Sequence, residues 1–269
     1  MKPQETFYEK LTSNCKVEFV ECWYEEAQIS HFWIRSRFEF LLEGLNRVKL
    51  PLSESLRVLD VGSGNGVIRI QLESATPWVV DCSDINEDAM RRTPRGRGRN
   101  LLYNILDLNS NLIGQYDVVL LMDVLEHIEN PSKFIAAALK HLKPDGHLVI
   151  NVPALQAFFS EYDICAGHFR RYSRASLKGE LGNLPIRSVF EGYWGFSLLP
   201  LLLIRKFMVR NLKNREQVIR IGFKPRFRFI NKLLYGVLAI ERRLFGLRLL
   251  GSSLIYLGQA QGESSSVAK

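Results

Sequence analysis

From Leu56 onward the chain alternates short apolar runs with helical periodicities, and that alternation restricts it to a largely parallel sheet wrapped in helices. Leu56–Val61, Trp78–Asp81, Leu101–Leu106, Tyr116–Met122 and Gly146–Val152 each read as a strand buried on both faces, rich in Val, Leu and Ile. Between them, Ser132–Leu142 places Phe134, Ile135, Ala138, Leu139 and Leu142 on one helical face, and Pro144-Asp145-Gly146 turns the chain into the next strand. Strand–helix repetition of this kind predicts an α/β, doubly wound sheet with right-handed crossovers. Arg187–Trp194 and Ser253–Gln259 alternate in polarity instead, as an antiparallel pair at a sheet edge does. The expected organisation is an N-terminal helical region (1–50), a sheet domain (51–194 with 251–260) and a basic, apolar helical insertion (195–250) before the antiparallel last strand.

With 269 residues, 46% of them hydrophobic, the chain can bury a full core as one domain. The polar start at Met1–Glu5 shows no secretory h-region. Cys15, Cys22, Cys82 and Cys165 form no CxxC pair, so reduced thiols and a cytoplasmic location are expected. No apolar run reaches the roughly 18–20 residues of a spanning helix; Phe196–Ile204 meets Arg205 and Lys206 first. Charge is unevenly distributed. Gly195–Leu250 holds 13 Lys/Arg against Glu216 and Glu241, a net +11 within a chain of +8, which leaves −3 elsewhere. Basicity confined to one segment argues against a nucleic-acid groove across the whole body, and nucleic acid is not an expected partner.

The strand ending at Asp60 is followed by Gly62, Gly64 and Gly66, a tight turn into a helix where glycine allows positive φ and close ligand approach. A structural turn alone would use the same residues. Val67 stands where a dinucleotide fingerprint places its third glycine, which disfavours a nicotinamide cofactor, and no Lys-Ser/Thr follows to make a P-loop. About twenty residues on, Asp84 closes the next strand, where a carboxylate accepts from both ribose hydroxyls of an adenosine-type ligand. Asp84 is preferred to Asp81 because it sits at the strand tip beside Ile85, which can pack on adenine. Asp84 equally suits the N-cap of the next helix. Asp107, at the third strand tip beside Leu108, is a third carboxylate in register and can accept from an adenine amino group.

Taken together, these segments resemble the class I S-adenosylmethionine-dependent methyltransferases, whose fold is a Rossmann-like sheet with an antiparallel last strand. Val58–Gly66 (VLDVGSGNG) resembles the family's first motif, Asp84 its ribose acid and Asp107-Leu108 its adenine contact. Tyr116–Pro131 and Leu142–Pro153 are similar to its fourth and fifth strand regions. The resemblance implies S-adenosyl-L-methionine as cofactor, with Asp60, Gly62, Gly64, Asp84, Ile85, Asp107, Leu108 and Met122 in contact with it. A narrower resemblance, to bacterial type-11/12-like methyltransferases, rests on His31–Arg37 (HFWIRSR) and on Ser160–Asp163 with Gly167–Tyr172. Ile34 departs from that group's usual Phe. Arg37 is expected to fork onto the methionine carboxylate.

Methyl transfer from a sulfonium is an in-line displacement, so the first requirement is positioning, with a base needed only where the acceptor carries a proton. His127 and His168 lie on the ligand side of the sheet and are the candidate catalytic residues. Each has a structural alternative: His127 as a loop anchor, and His168 with Asp163, Arg170, Arg171 and Tyr172 as a latch. No His/Cys cluster has zinc spacing, so no metal is expected. Met122-Asp123-Val124-Leu125 lacks the Pro-Pro motif of DNA amino-methylating enzymes, and neither Cys82 nor Cys165 has the Pro-Cys setting of a cytosine nucleophile. A small-molecule, glycan or lipid-linked acceptor fits best; the other class is an RNA-directed or non-catalytic member of the fold.

In the insertion, Phe229, Leu233, Val237, Ile240, Leu244 and Leu247 make a stripe, widened by Ile230, Leu234 and Leu238, with Lys232, Arg242 and Arg243 outside it. A basic amphipathic helix of this kind suits an anionic membrane surface, and the same pattern suits a subdomain packed on the sheet.

Overall fold

The computed structural model describes residues 7–12, 28–223, 227–245 and 250–261. Eight strands form one sheet: β1 (Glu9–Lys10), β2 (Arg57–Val61), β3 (Val79–Asp84), β4 (Asn100–Leu102), β5 (Tyr116–Met122), β6 (Leu142–Pro153), β7 (Ile186–Trp194) and β8 (Ser253–Ala260). Their order is β1-β4-β3-β2-β5-β6-β8-β7. Strands β1 to β6 pair in parallel, while β8 lies antiparallel to both β6 and β7. The expected α/β sheet, mostly parallel with an antiparallel last strand, is therefore present.

Alternate residues of each strand face opposite layers. On one face Val58, Val80, Val118, Leu120 and Val149 pack under Phe40, Leu41 and Leu45 of α1 (Phe32–Arg47) and Ile68 and Leu72 of α2 (Val67–Ala75). On the other, Leu59, Leu101, Val119, Leu121, Leu148 and Ile150 pack with Ile135 and Ala138 of α4 (Pro131–His141) and Leu177 of α6 (Arg174–Leu181). Burial on both sides is why β5 reads as an apolar run rather than an alternation. Two short helices, α3 (Glu87–Arg92) and α5 (Glu161–Ala166), complete the order before the insertion. α4 begins one residue earlier than its periodicity suggests, because Pro131 sits at N1 and the Asn130 side chain accepts from the Lys133 amide.

Several expected boundaries move. β3 runs on to Asp84, and β4 stops at Leu102 instead of Leu106. Asn104 ends that strand by accepting from the Leu106 amide and capping a 3-10 turn over Ile105–Asp107. Pro144–Gly146 lies inside β6, where the register with β5 slips between Tyr116 and Val118 and Asp145 takes φ 63°. Within the expected N-terminal helical region, Glu9–Lys10 adds an edge strand beside β4. Cys82 and Cys165 are free thiols, whereas Cys15 and Cys22 lie outside the described residues.

Between β7 and β8 come α7 (Leu199–Val209), α8 (Arg215–Phe223) and α9 (Arg228–Phe245). The α9 helix docks on α1: Tyr235 donates to Glu39 at 2.6 Å, Arg242 pairs with Glu39 at 3.2 Å, and Asn231 accepts from the Phe32 amide at 2.8 Å. The buried Glu241 carboxylate accepts the amides of Gly195 (2.8 Å), Phe196 (2.9 Å) and Ser197 (2.9 Å), and the Ser197 hydroxyl at 2.6 Å. This clasp ties α9 to the exit of β7. Of the two alternatives for the stripe, the exposure fits an outward-facing one: Phe229, Leu233, Val237, Ile240 and Leu244 are exposed, while Leu238 is buried. Leu247 lies outside the described residues. Among those residues no helix is long and apolar enough to cross a membrane.

The strand order positions the site. The chain runs from β2 outward through β3 to β4, then returns to the other side of β2 with β5. In open α/β sheets ligands bind beyond the carboxyl ends of the strands where the order reverses, which here is between β2 and β5.

Candidate active site

The loop after β2 lies at that reversal. Gly62, Gly64 and Gly66 take φ of 68°, 56° and 74°. A Cβ on Gly62 would meet Val124 Cγ2 at 2.7 Å, and one on Gly66 would meet Thr93 Cγ2 at 2.7 Å, so neither position admits a side chain without displacement. The amides of Gly62 and Ser63 donate to the Ser83 carbonyl at 2.8 and 3.0 Å, fastening the loop to the tip of β3. There Asp84 Oδ2 accepts from the Gly64 amide at 2.9 Å and Oδ1 from the Asn86 amide at 2.8 Å.

The competing roles of the acids separate here. Asn86, not Asp84, is the N-cap of α3, its side chain accepting from the Asp88 and Ala89 amides. Backbone amides thus occupy part of the acceptor capacity of the Asp84 carboxylate and leave the rest for a ligand hydroxyl. Burial raises the Asp84 pKa against the bonds from Asn86, Gly64 and Ile85. Asp81 is occupied elsewhere, by Arg99 (2.8 Å), Arg57 (3.4 Å) and the Tyr116 hydroxyl (2.9 Å). Beside Asp84, Ile85 is exposed, and so is Leu106, an apolar side chain that the motif reading passed over. Asp107 accepts from Thr12 at 2.5 Å, Leu108 takes φ 51° as the 3-10 turn closes, and Met122 is 6% exposed at the end of β5.

Beneath the loop lies a set of buried charges. Asp60 is 1% exposed and its Oδ2 has no hydrogen-bond partner among the described residues. Burial pushes its pKa up to about 7, opposed by the charges of Arg37 and Arg69 and assisted by Asp84. Because the folded state favours the protonated acid, Asp60 costs nothing below its unfolded pKa, costs progressively more as pH rises toward 7, and costs the full amount above it. Asp60→Asn should therefore stabilise the fold at pH 8 by on the order of 4 kcal/mol, and by almost nothing at pH 4. Thermal unfolding at the two pH values checks this; an equal change at both would refute it.

The Arg37 fork is only partly free. Its Nη1 donates to Asp123 Oδ2 at 2.6 Å, the guanidinium lies 5.0 Å from the Trp33 ring centre, and Nε is buried without a partner among the described residues. Asp123 Oδ1 accepts from Asn151 at 2.8 Å, and Asn151 Oδ1 in turn accepts from the Trp194 indole at 2.9 Å. Asp123 holds a left-handed φ of 61°, a strained setting for a residue other than glycine, at the very tip of β5. Burial raises its pKa, opposed by Arg37, Asn151 and His168. Motif reading assigned no role to Asp123 or to Glu126. The signal was present, as two acids directly following an apolar strand.

His127 and His168 come together, their ring centres 4.7 Å apart and their planes at 84°. His127 Nδ1 lies 3.2 Å from the Gly167 carbonyl. Burial, then the neighbouring His168, pushes the His127 pKa down to about 3, against the bond to Gly167. The bond to Gly167 is the one expected of the loop-anchor alternative for His127. His168 Nδ1 lies 3.1 Å from Asp163 Oδ1, which also accepts from Arg171 Nε at 2.8 Å. Asp163 Oδ2 accepts the Ser160 amide at 2.9 Å and closes the capping box of α5. Burial alone would raise Asp163, but His168, Arg171 and Arg205 outweigh it and hold the carboxyl below its usual range. Arg170 and Tyr172 fasten the segment, donating to the carbonyls of Glu129 (3.1 Å) and Leu125 (3.1 Å). Glu126, 1% exposed, completes the group, with its ligand atom and those of both histidines within 4.8 Å of one another. Sequence spacing missed this cluster because His168 arrives from a distant segment.

A methyltransferase-domain family model matches residues 33–184. The ubiquinone biosynthesis O-methyltransferase of Rickettsia canadensis is 31% identical over 120 residues, 43% of this chain and 50% of that protein. The chain thus spans about half the length of that curated relative. In fold, it resembles an S-adenosylmethionine-dependent methyltransferase from Archaeoglobus fulgidus (TM-score 0.52, 17% identity, 82% of this chain and 94% of that one). It also resembles Haemonchus contortus phosphoethanolamine N-methyltransferase 2 (TM-score 0.50, 15% identity, 84% and 52%).

Proposed function

The chain belongs to the class I S-adenosylmethionine-dependent methyltransferases, and on that premise we propose that it methylates a small-molecule, glycan or lipid-linked acceptor at the mouth of the β2/β5 crevice. The observation that carries the reading is the bond from the Gly64 amide to Asp84. It holds the loop and the ribose-binding carboxylate in one rigid frame. When bound, the cofactor supplies an electrophilic methyl group on a sulfonium. Gly62 and Gly64 present backbone to it, Asp84 accepts from its ribose, Ile85 and Leu108 flank the adenine, and Asp107 accepts from the adenine amino group. Met122 borders the crevice. Asp60 Oδ2 and Arg37 Nε, neither with a partner among the described residues, suit an ammonium and a carboxylate, the two charged groups of a methionine moiety.

His168, oriented by Asp163, faces the partly buried side of the cluster and serves the acceptor rather than the cofactor. The name of the Rickettsia relative supports an oxygen acceptor. In this reading residues 51–194 and 251–260 form the catalytic unit, and the helical insertion within 195–250 forms a lid. Calorimetry tests it directly: S-adenosylmethionine and S-adenosylhomocysteine should bind one per chain and NAD should not. Failure of the first two to bind overturns the reading.

The lid also bears on where the acceptor comes from. On α9, Phe229, Leu233, Val237, Ile240 and Leu244 point outward, as do Leu203, Ile204, Phe207 and Met208 on α7. Exposed Arg210, Arg228, Lys232 and Arg243 accompany them. Apolar side chains among cations match an anionic bilayer, to which each Lys or Arg adds about 1 kcal/mol. The protein should co-sediment with vesicles containing anionic phospholipid and release them at high salt. Phe229→Glu with Leu233→Glu should abolish the association; equal sedimentation with zwitterionic vesicles would refute this membrane face.

A further inference from the structure

Helix α7 carries a cation on the side where its pattern calls for a hydrocarbon. Leu199, Leu202 and Val209 fall on one stripe that is buried or half-buried, while Leu201, Leu203, Ile204, Phe207 and Met208 are exposed. Arg205 occupies the inward stripe, between Leu202 and Val209, and is half-buried. Its guanidinium lies 3.9 Å from the centre of the Tyr162 ring in α5, beyond the carboxyl end of β6. Gly222 of α8 packs close to both: a Cβ there would collide with the ring and come within 3.3 Å of Arg205 Cδ. Arg205 Nε is buried with no hydrogen-bond partner, and no carboxylate pairs with the side chain, among the described residues. Asp163, whose charge it feels, is already bonded to Arg171 (2.8 Å), His168 (3.1 Å) and the Ser160 amide (2.9 Å). Burial lowers the Arg205 pKa and the charge of Arg171 adds to the effect, against Tyr162 and Asp163. Nearby cations of the insertion are satisfied by contrast: Lys206 and Arg215 donate to the carbonyls of Ala157 (2.9 Å) and Cys165 (2.7 Å). Burying a cation without an acceptor costs more than the hydrocarbon it replaces, so a local break in the pattern points to a group outside the chain.

We propose that Arg205 anchors the phosphate or carboxylate of an amphiphilic acceptor, whose apolar part lies against the exposed side chains of α7. A guanidinium offers either anion two parallel N–H donors, and it is less strongly hydrated than an ammonium, which suits a partly desolvated position. Stacking on Tyr162 fixes the plane of that fork before the ligand arrives. The apolar half of the ligand follows from placement along the helix. Leu201 and Met208 lie one turn to either side of Arg205 and are exposed, so a molecule reaching the guanidinium meets hydrocarbon as well. No bond is made or broken at this anchor; it selects the acceptor and sets its position. This deepens the transferase reading, on which it rests, by narrowing the acceptor to an anionic amphiphile.

The full-length protein is titrated by calorimetry with inorganic phosphate, dihexanoyl phosphatidate and dihexanoyl phosphatidylcholine, the two lipids below their micellar concentrations. One phosphatidate per chain is expected, bound at least about tenfold more tightly than either of the others. Arg205→Met, which continues the apolar stripe, should weaken phosphatidate binding at least about tenfold without lowering Tm. Arg205→Lys keeps the charge and loses the fork, and its affinity should fall between that of Arg205→Met and the parent. Thermal melts report whether each variant is folded, and either folded variant suffices for the test. A cation needed only for packing gives the opposite pattern, a lower Tm with phosphatidate affinity unchanged. Absence of stoichiometric phosphatidate binding, equal affinity for phosphatidylcholine, or unchanged affinity in the folded variants overturns the anchor. S-adenosylmethionine is titrated into the unaltered protein in parallel. Cofactor binding without phosphatidate binding overturns the anchor alone, whereas phosphatidate binding without cofactor binding overturns the transferase reading and leaves the anion site standing.

Discussion

Asp84→Ala is expected to weaken S-adenosylmethionine binding by at least about 100-fold, measured by calorimetry, while the protein stays folded. The carboxylate is already aimed by the Gly64 and Asn86 amides, so it meets two ribose hydroxyls without first paying for its own ordering. Hydrogen bonds to an ionised group contribute about 1.5–3 kcal/mol each, and two of them amount to two or more powers of ten in affinity. The substitution also releases the Gly64 amide, which loosens the loop the ligand rests on. Folding survives because α3 keeps its own cap, Asn86. Asp81→Ala supplies the contrast. That acid gathers Arg99, Arg57 and Tyr116, so its loss should lower thermal stability and leave cofactor affinity nearly unchanged. An Asp84→Ala protein that binds as tightly as the parent would remove the ribose role.

The second large effect is on stability. Glu241→Ala should cost about 3–6 kcal/mol, because three backbone amides and the Ser197 hydroxyl lose their acceptor where the chain leaves β7. For a protein of this size that corresponds to a fall of about 10 °C in Tm or more. Glu241→Gln keeps one acceptor oxygen and should lie between the two. Scanning calorimetry resolves the difference, and a Tm within a degree of the parent would mean that α9 is held by its contacts with α1 alone.

Much of the frame was legible because parallel strands announce themselves: β2 and β5 are unbroken apolar runs, and positive φ at Gly62, Gly64 and Gly66 leaves few residue choices. Asp84 was legible for a similar reason, since its position relative to those glycines follows from the pairing of β2 with β3. What escaped depends on contacts made far along the chain. The His127–His168 pairing needs the segment after β6 to fold back over the end of β5, and no spacing rule encodes that return. The short β4 turned on one side chain, Asn104, outcompeting strand propensity over the next turn. The outward stripe of α9 was ambiguous in principle, because periodicity identifies an apolar face without saying what it faces. There the α1 contacts of Tyr235, Asn231 and Arg242 decided the rotation of the helix.

The placement of β8 bears on the order of assembly. Strand β7 is made before the insertion, yet its sheet partner is β8, which follows the insertion. Until β8 slots between them, β6 keeps an open edge and β7 has no ladder to join. The long helical excursion therefore has to fold or be carried unfolded while a hydrophobic strand edge waits, the interval in which such chains are most prone to self-association. Hydrogen-exchange protection during refolding should accordingly develop in β2 and β5 first and in β7 and β8 together, late, as a single kinetic event.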